Sequence, residues 1–95
     1  MTTDTDYIID ILCFLENNNI DTTNYNEELS YSYNTDDVYV VEIDGYILKF
    51  VQNYYNKKYQ NFTLYYKDNE NNQIEIKGYD NIKQELIILF NIYNF

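Results

Sequence analysis

The chain has 95 residues, 45% of them apolar and 19% aromatic, with 16 acidic residues against 6 lysines and a formal net charge of −10. That length allows one domain and one modest core. Its apolar content argues against disorder, and its charge excludes the cation-rich surfaces that hold nucleic-acid phosphates or anionic membranes. No run approaches 18 uninterrupted apolar residues, so no membrane-spanning helix is expected.

Residues 4–17 read as a helix. Ile8, Ile11, Leu12 and Leu15 recur at i, i+3, i+4, i+7 and make one buried stripe. Asp6, Asp10, Cys13 and Asn17 fall on the other side. Thr3 or Thr5 is the expected cap, Asp4 and Asp6 suit the positive end of the helix dipole, and Asn17-Asn18-Asn19 suits a left-handed exit. The N-terminus carries no positive charge ahead of its apolar run, so it does not read as a secretory signal.

Residues 29–33 alternate apolar and polar and read as a strand. From Val38 to Val51 two apolar runs flank Asp44-Gly45, the strongest short hairpin signal. A two-residue turn there pairs Ile43 with Tyr46, Val41 with Leu48 and Tyr39 with Phe50 on one face. The other face is mixed, with Glu42 opposite Ile47 and Val40 opposite Lys49. The stretch from Ile47 also fits helical spacing through Phe50, Val51, Tyr54 and Tyr55, so residues 46–60 are strand plus loop or helix.

Residues 62–67 and 73–78 form a second hairpin around 68–72. It pairs Tyr66 with Ile74 and Leu64 with Ile76 on the core side, and Tyr65 with Glu75 and Thr63 with Lys77 outside. Residues 80–94 read as a helix with Asp80 as cap and a stripe of Ile82, Leu86, Leu89, Phe90 and Tyr93. The run Leu86 to Phe90 is apolar all round, which predicts cover on more than one side. The expected fold is α+β: one domain over 1–95, an antiparallel meander of four or five strands, and an N-terminal and a C-terminal helix packed on one face.

Catalytic chemistry finds little to stand on. Histidine and arginine are absent, and the two glycines, Gly45 and Gly78, make no phosphate loop. Cys13 has no histidine or lysine near it in sequence to activate the thiol. Asp68-Asn69-Glu70-Asn71-Asn72 is similar to a calcium loop, but it lacks the turn glycine and its twelfth position is Tyr79, so it reads as a polar turn. Asn61-Phe62-Thr63 matches a glycosylation acceptor that a cytoplasmic chain would not use. The single cysteine fits the cytoplasm. No enzyme activity, metal or cofactor is expected.

What remains is the acidity. Residues 1–44 hold 11 acids and no lysine, and residues 45–95 hold 5 acids and all 6 lysines. Abundant Asn, Ile and Tyr follow from AT-rich codons, but the same bias would supply lysine, so the acidity runs against it. Tyrosines, favoured anchors at interfaces, are interleaved with the acids. Asp6 and Asp10, one helical turn apart, sit about 6 Å apart along the axis, near the spacing of phosphates on a strand. Eleven carboxylates without a base should also repel one another, so salt should stabilise the free protein.

The candidate partner-binding residues are Asp6, Asp10, Glu27, Glu28, Tyr31, Tyr33, Asp36, Asp37, Glu42 and Asp44. In size and charge the chain resembles the anti-CRISPR and DNA-mimic proteins as a class. That resemblance implies a viral or phage inhibitor of a basic nucleic-acid-binding effector. Two other readings stay open: an antitoxin or immunity protein against a basic nuclease, and a homo-oligomeric accessory protein joined through Leu86–Phe95.

Overall fold

A computed structural model describes residues 6–92. Its elements run α1 (Tyr7–Asn17), β1 (Tyr31–Tyr33), β2 (Asp36–Ile43), β3 (Tyr46–Tyr55), β4 (Lys58–Lys67), β5 (Gln73–Lys77) and α2 (Tyr79–Leu89). The five strands form one antiparallel sheet in the order β1-β2-β3-β4-β5. Both helices lie on one face, α1 over β3 and α2 over β4 and β5. The fold is thus the α+β meander that the sequence predicts. None of the described helices is long and apolar enough to cross a membrane.

The Asp44-Gly45 hairpin has the expected register, Ile43 with Tyr46 and Val41 with Leu48. Both turn residues adopt positive φ, 51° and 83°, as a primed two-residue turn requires. The second hairpin also pairs as predicted, Leu64 with Ile76 and Tyr66 with Ile74. Its turn is built by Asp68, whose Oδ1 accepts from the backbone N–H of Glu70 (2.9 Å) and of Asn72 (2.8 Å).

Residues 46–60 are strand, not helix. β3 continues to Tyr55, turns at Asn56-Lys57 and returns as β4 from Lys58, so the strand expected at 62–67 starts four residues earlier. Both turn residues take positive φ without a glycine. A bulge at Asn61, also at positive φ, shifts the register between Val51 and Asn53.

The core lies between helices and sheet. Ile11, Leu15, Leu48, Phe50, Leu64, Ile82 and Leu86 are fully buried there. Helix α1 starts at Tyr7, three residues later than expected. Its cap is Asp6, whose Oδ1 accepts from the N–H of Ile9 at 3.1 Å. Thr3 and Thr5, the expected caps, lie outside the described residues. Asn19 makes the left-handed exit, φ 65°.

Helix α2 is capped at Gly78, with no side-chain cap bond; Asp80 stands in its first turn instead, where its charge suits the dipole. The helix ends at Leu89, and Asn91 turns the chain at φ 52° so that Ile92 packs back on the core. Tyr93 lies outside the described residues. In the Leu86–Phe90 run Leu86 is buried and Ile87, Leu89 and Phe90 pack against the core, while Ile88 is 71% exposed.

Candidate functional site

In a meander, neighbours in sequence are neighbours in space. The half without lysine in its sequence therefore becomes one side of the molecule: α1, the loop after it, β1 and β2, touched at α1 by Lys83 of α2, whose ammonium lies 4.7 Å from the Phe14 ring centroid. The lysines fall on β3, β4, β5 and α2, with Lys57 in the β3–β4 turn. Residues 24–26 extend this side by running along β2 beyond β1. Asn26 N–H donates to the Val40 carbonyl (2.7 Å) and Glu42 N–H to that of Asn24 (2.9 Å). Asn26 then caps a turn through Glu27 and Glu28 with its side chain, accepting from Leu29 N–H.

The ten candidate residues do not gather into one patch. Glu27 and Glu28 are exposed on that turn, at the sheet edge. Tyr31 and Tyr33 sit on the edge strand β1, paired with Val38 and Asp36 on the helix-free face. Asp36 and Glu42 share that face at opposite ends of β2, about 20 Å apart at the rise of an antiparallel strand. Asp44 stands at the hairpin tip.

Asp6 and Asp37 belong to a polar hub on the helix side. Gln52, 1% exposed, donates its amide to Asp6 Oδ1 (2.8 Å) and Asp37 Oδ2 (3.1 Å), and its Oε1 accepts from the N–H of Ile8 (3.1 Å). Asp37 Oδ1 also accepts from Ser32. Tyr59 reaches the same cluster; burial, with the charges of Asp6 and Asp37 beside it, holds its hydroxyl above the usual tyrosine range. The hub ties the first turn of α1 to β1, β2, β3 and β4. Asp10 is likewise engaged. Burial, and a hydrogen bond to Asp10, push the Tyr79 hydroxyl up. The Asp6–Asp10 pair is therefore not a free, phosphate-like pair of charges.

Asp21, one of the eleven acids of the N-terminal half, is held below the carboxylate range by the hydroxyl and N–H of Thr23; Asp68, in the other half, is held low by the backbone of its own turn. Glu16 is satisfied by the Thr22 hydroxyl at 2.6 Å.

What is free on this side is apolar as well as acidic. Ile9, Tyr25, Leu29, Tyr31 and Tyr33 are exposed, Tyr33 to 71%. Tyr25 stacks on Tyr39 with ring centroids 5.4 Å apart. Between α1 and this loop lies a shallow groove of about 300 Å³, lined by Ile9, Leu12, Cys13, Glu16, Tyr25 and Tyr39. The sequence pointed to Tyr25 as one of the tyrosines interleaved with the acids, but missed Ile9 and Leu29 as surface groups. Ile9 was legible, since it lies off the buried stripe of α1; Leu29 was not, since alternation assigned it to a strand.

Cys13 is exposed on the outer face of α1. Among the described residues no three acidic or thiol side chains converge as metal ligands do. A depression of about 660 Å³ opens at the bulge between Tyr7, Phe62, Thr63, Lys77 and Tyr79. Its charged groups, Glu75 and Lys77, are 3.5 Å apart and exposed.

Compared with known proteins, the chain matches no family model, no curated protein and no solved structure.

Proposed function

We propose that the chain is a non-catalytic inhibitor that docks its α1–β1–β2 side on a basic surface of another protein. The best-fitting surface is the nucleic-acid channel of a defence effector such as a guided nuclease. One observation carries this: on that side, exposed Ile9, Tyr25, Leu29, Tyr31 and Tyr33 stand among free carboxylates, including Glu27 and Glu28. Interfaces are anchored by large aromatic and aliphatic groups, while a rim of unpaired charge steers approach.

An acidic surface kept only for solubility needs no such anchors. The bonding of the acids supports a division among them: Asp6, Asp10 and Asp37 are bonded within the fold, whereas Glu27 and Glu28 have no side-chain bond among the described residues and are, on this reading, the groups offered to the partner. Lysine- and arginine-lined channels supply both the opposite charge and a reason for the mimicry: the acids occupy sites built for phosphates.

The test is surface plasmon resonance on purified guided nucleases, without and with bound guide. Binding that the Glu27→Gln/Glu28→Gln and Tyr31→Ala/Tyr33→Ala variants lose supports the assignment. Binding that both variants retain refutes it.

A further inference from the structure

The helix-free face of the sheet is not what a solvated face should be. An antiparallel sheet with one wet face alternates polar residues outward. Here the outward rows run Tyr31, Val38, Val51, Thr63, Lys77 and then Val40, Lys49, Tyr65, Glu75 across the strands, apolar at their centre and charged at the β5 edge. Ile47 beside them is 60% exposed. Val38 and Val40 are buried, yet lie outside the core cluster beneath the helices. Charge on this face is uneven. Asp36 and Glu42 stand on β2, Lys49 and Lys67 on β3 and β4, and on β5 Lys77 stands beside Glu75. Only Lys77 has an ion-pair partner among the described residues, Glu75. A strongly acidic protein thus displays Lys49 and Lys67 on an open face with no carboxylate bound to either.

We infer that this face packs against the same face of a second copy of the chain. A two-fold axis parallel to the strands and running over β3 lays β2 of one copy across β4 of the other. Glu42 and Lys67 lie one register step beyond the Val40–Lys49–Tyr65 row, on β2 and β4 respectively, so the axis sets Glu42 opposite Lys67, twice by symmetry. It also sets Tyr31 of β1 over Lys77 of β5, an arrangement that suits a cation over a ring. Lys49 falls near the axis, but its ammonium is drawn aside over the Tyr65 ring, 5.8 Å from the centroid. An axis perpendicular to the strands would stack β2 on β2 and acid on acid, so charge selects the first arrangement.

Five strands at about 4.8 Å spacing and four outward rows make a face of about 24 by 20 Å. Two such faces bury about 1,000 Å², the lower limit for a specific interface. Association is accordingly weak, in the micromolar range. The interface differs from one through the C-terminal helix, where Ile88 is the exposed apolar group among the described residues of α2. It leaves Glu27 and Glu28 uncovered.

Light scattering coupled to size exclusion, and sedimentation velocity, test this on the whole chain from about 1 to 300 µM. The expected result is a concentration-dependent dimer. Glu42→Lys and Lys67→Glu should each weaken it at least tenfold, and the double exchange should restore it. All these positions are exposed, so the variants keep the fold, which circular dichroism checks; Ile47→Glu is a second, charge-independent probe of the face. A wild type that stays monomeric throughout overturns the inference. So does a dimer that survives Glu42→Lys and Ile47→Glu, or one that Ile88→Glu alone dissolves. Because Tyr31 belongs to both this face and the proposed docking side, docking of a basic partner is read separately with Glu27→Gln/Glu28→Gln, which leaves this interface untouched.

Discussion

Replacing Gln52 by leucine tests whether the acids near it are structural. Leucine is of similar size, so little cavity forms, and the change isolates polar chemistry. The Ile8 N–H, buried in the first turn of α1, loses its acceptor at 3.1 Å. An unpaired buried donor costs about 1–3 kcal/mol. Asp6 and Asp37 each lose one amide donor. Both are only half-buried, Asp6 keeps the Ile9 N–H and Asp37 keeps Ser32, so water recovers part of the loss and each costs about 0.5 kcal/mol. The sum is on the order of 2–4 kcal/mol, a large share of the stability of a small domain.

Urea denaturation followed by circular dichroism reads it as a lower midpoint at unchanged slope. Gln52→Glu sharpens the test by adding a third carboxylate to the hub. Its folded-state pKa must rise, so the penalty is present at neutral pH and is relieved as pH falls through that raised value. A Gln52→Leu midpoint equal to wild type would refute the structural role of the hub and return Asp6 and Asp37 to the partner surface.

Four further outcomes follow from the same geometry. Asp37→Asn should cost about 1 kcal/mol in urea denaturation, while Glu27→Gln/Glu28→Gln stays within about 0.5 kcal/mol of wild type. Gly45→Ala should destabilise by about 1–2 kcal/mol in thermal melts; no atom lies within 4 Å of the added methyl, so the whole cost is the backbone at φ 83°. Phe50→Ala, at the centre of the core, should cost about 3–5 kcal/mol or prevent folding, read by calorimetry.

The fourth concerns alkaline pH. Burial first, then their hydrogen bonds to Glu85 and Asp10, raise the Tyr66 and Tyr79 hydroxyls above their ordinary value. Their contribution is full below about pH 10 and is lost as pH rises through the higher folded value. Melting temperature should therefore fall above about pH 10, less steeply in Tyr66→Phe.

Much of the fold was legible because two signals were local. Asp44-Gly45 fixed one register through its turn, and the phase of apolar residues around 68–72 fixed the other. The hairpin at Asn56-Lys57 escaped notice for physical reasons. Its turn takes positive φ without glycine, and its strands carry Gln52, Asn53, Gln60 and Asn61, which read as loop. Caps were misplaced by one to three residues because Thr, Asp and Gly all serve, and tertiary contacts choose among them. At the candidate site, charge segregation was legible and survived folding because the topology is sequential. The division of labour among the acids was not. Asp37 looks like Asp36 in sequence, yet alternation turns one to Gln52 and the other to the open face. Only the packing of α1 on β3 brings Asp6, 46 residues away from Gln52, to the same hub.

The most direct test of the docking account is the association rate of the chain with a guide-free, lysine- and arginine-channelled guided nuclease, measured at rising salt. The account predicts a rate that falls steeply between low and physiological ionic strength, and further in Glu27→Gln/Glu28→Gln, with guide nucleic acid competing for the same surface. A rate indifferent to salt, or binding that guide leaves untouched, would contradict it.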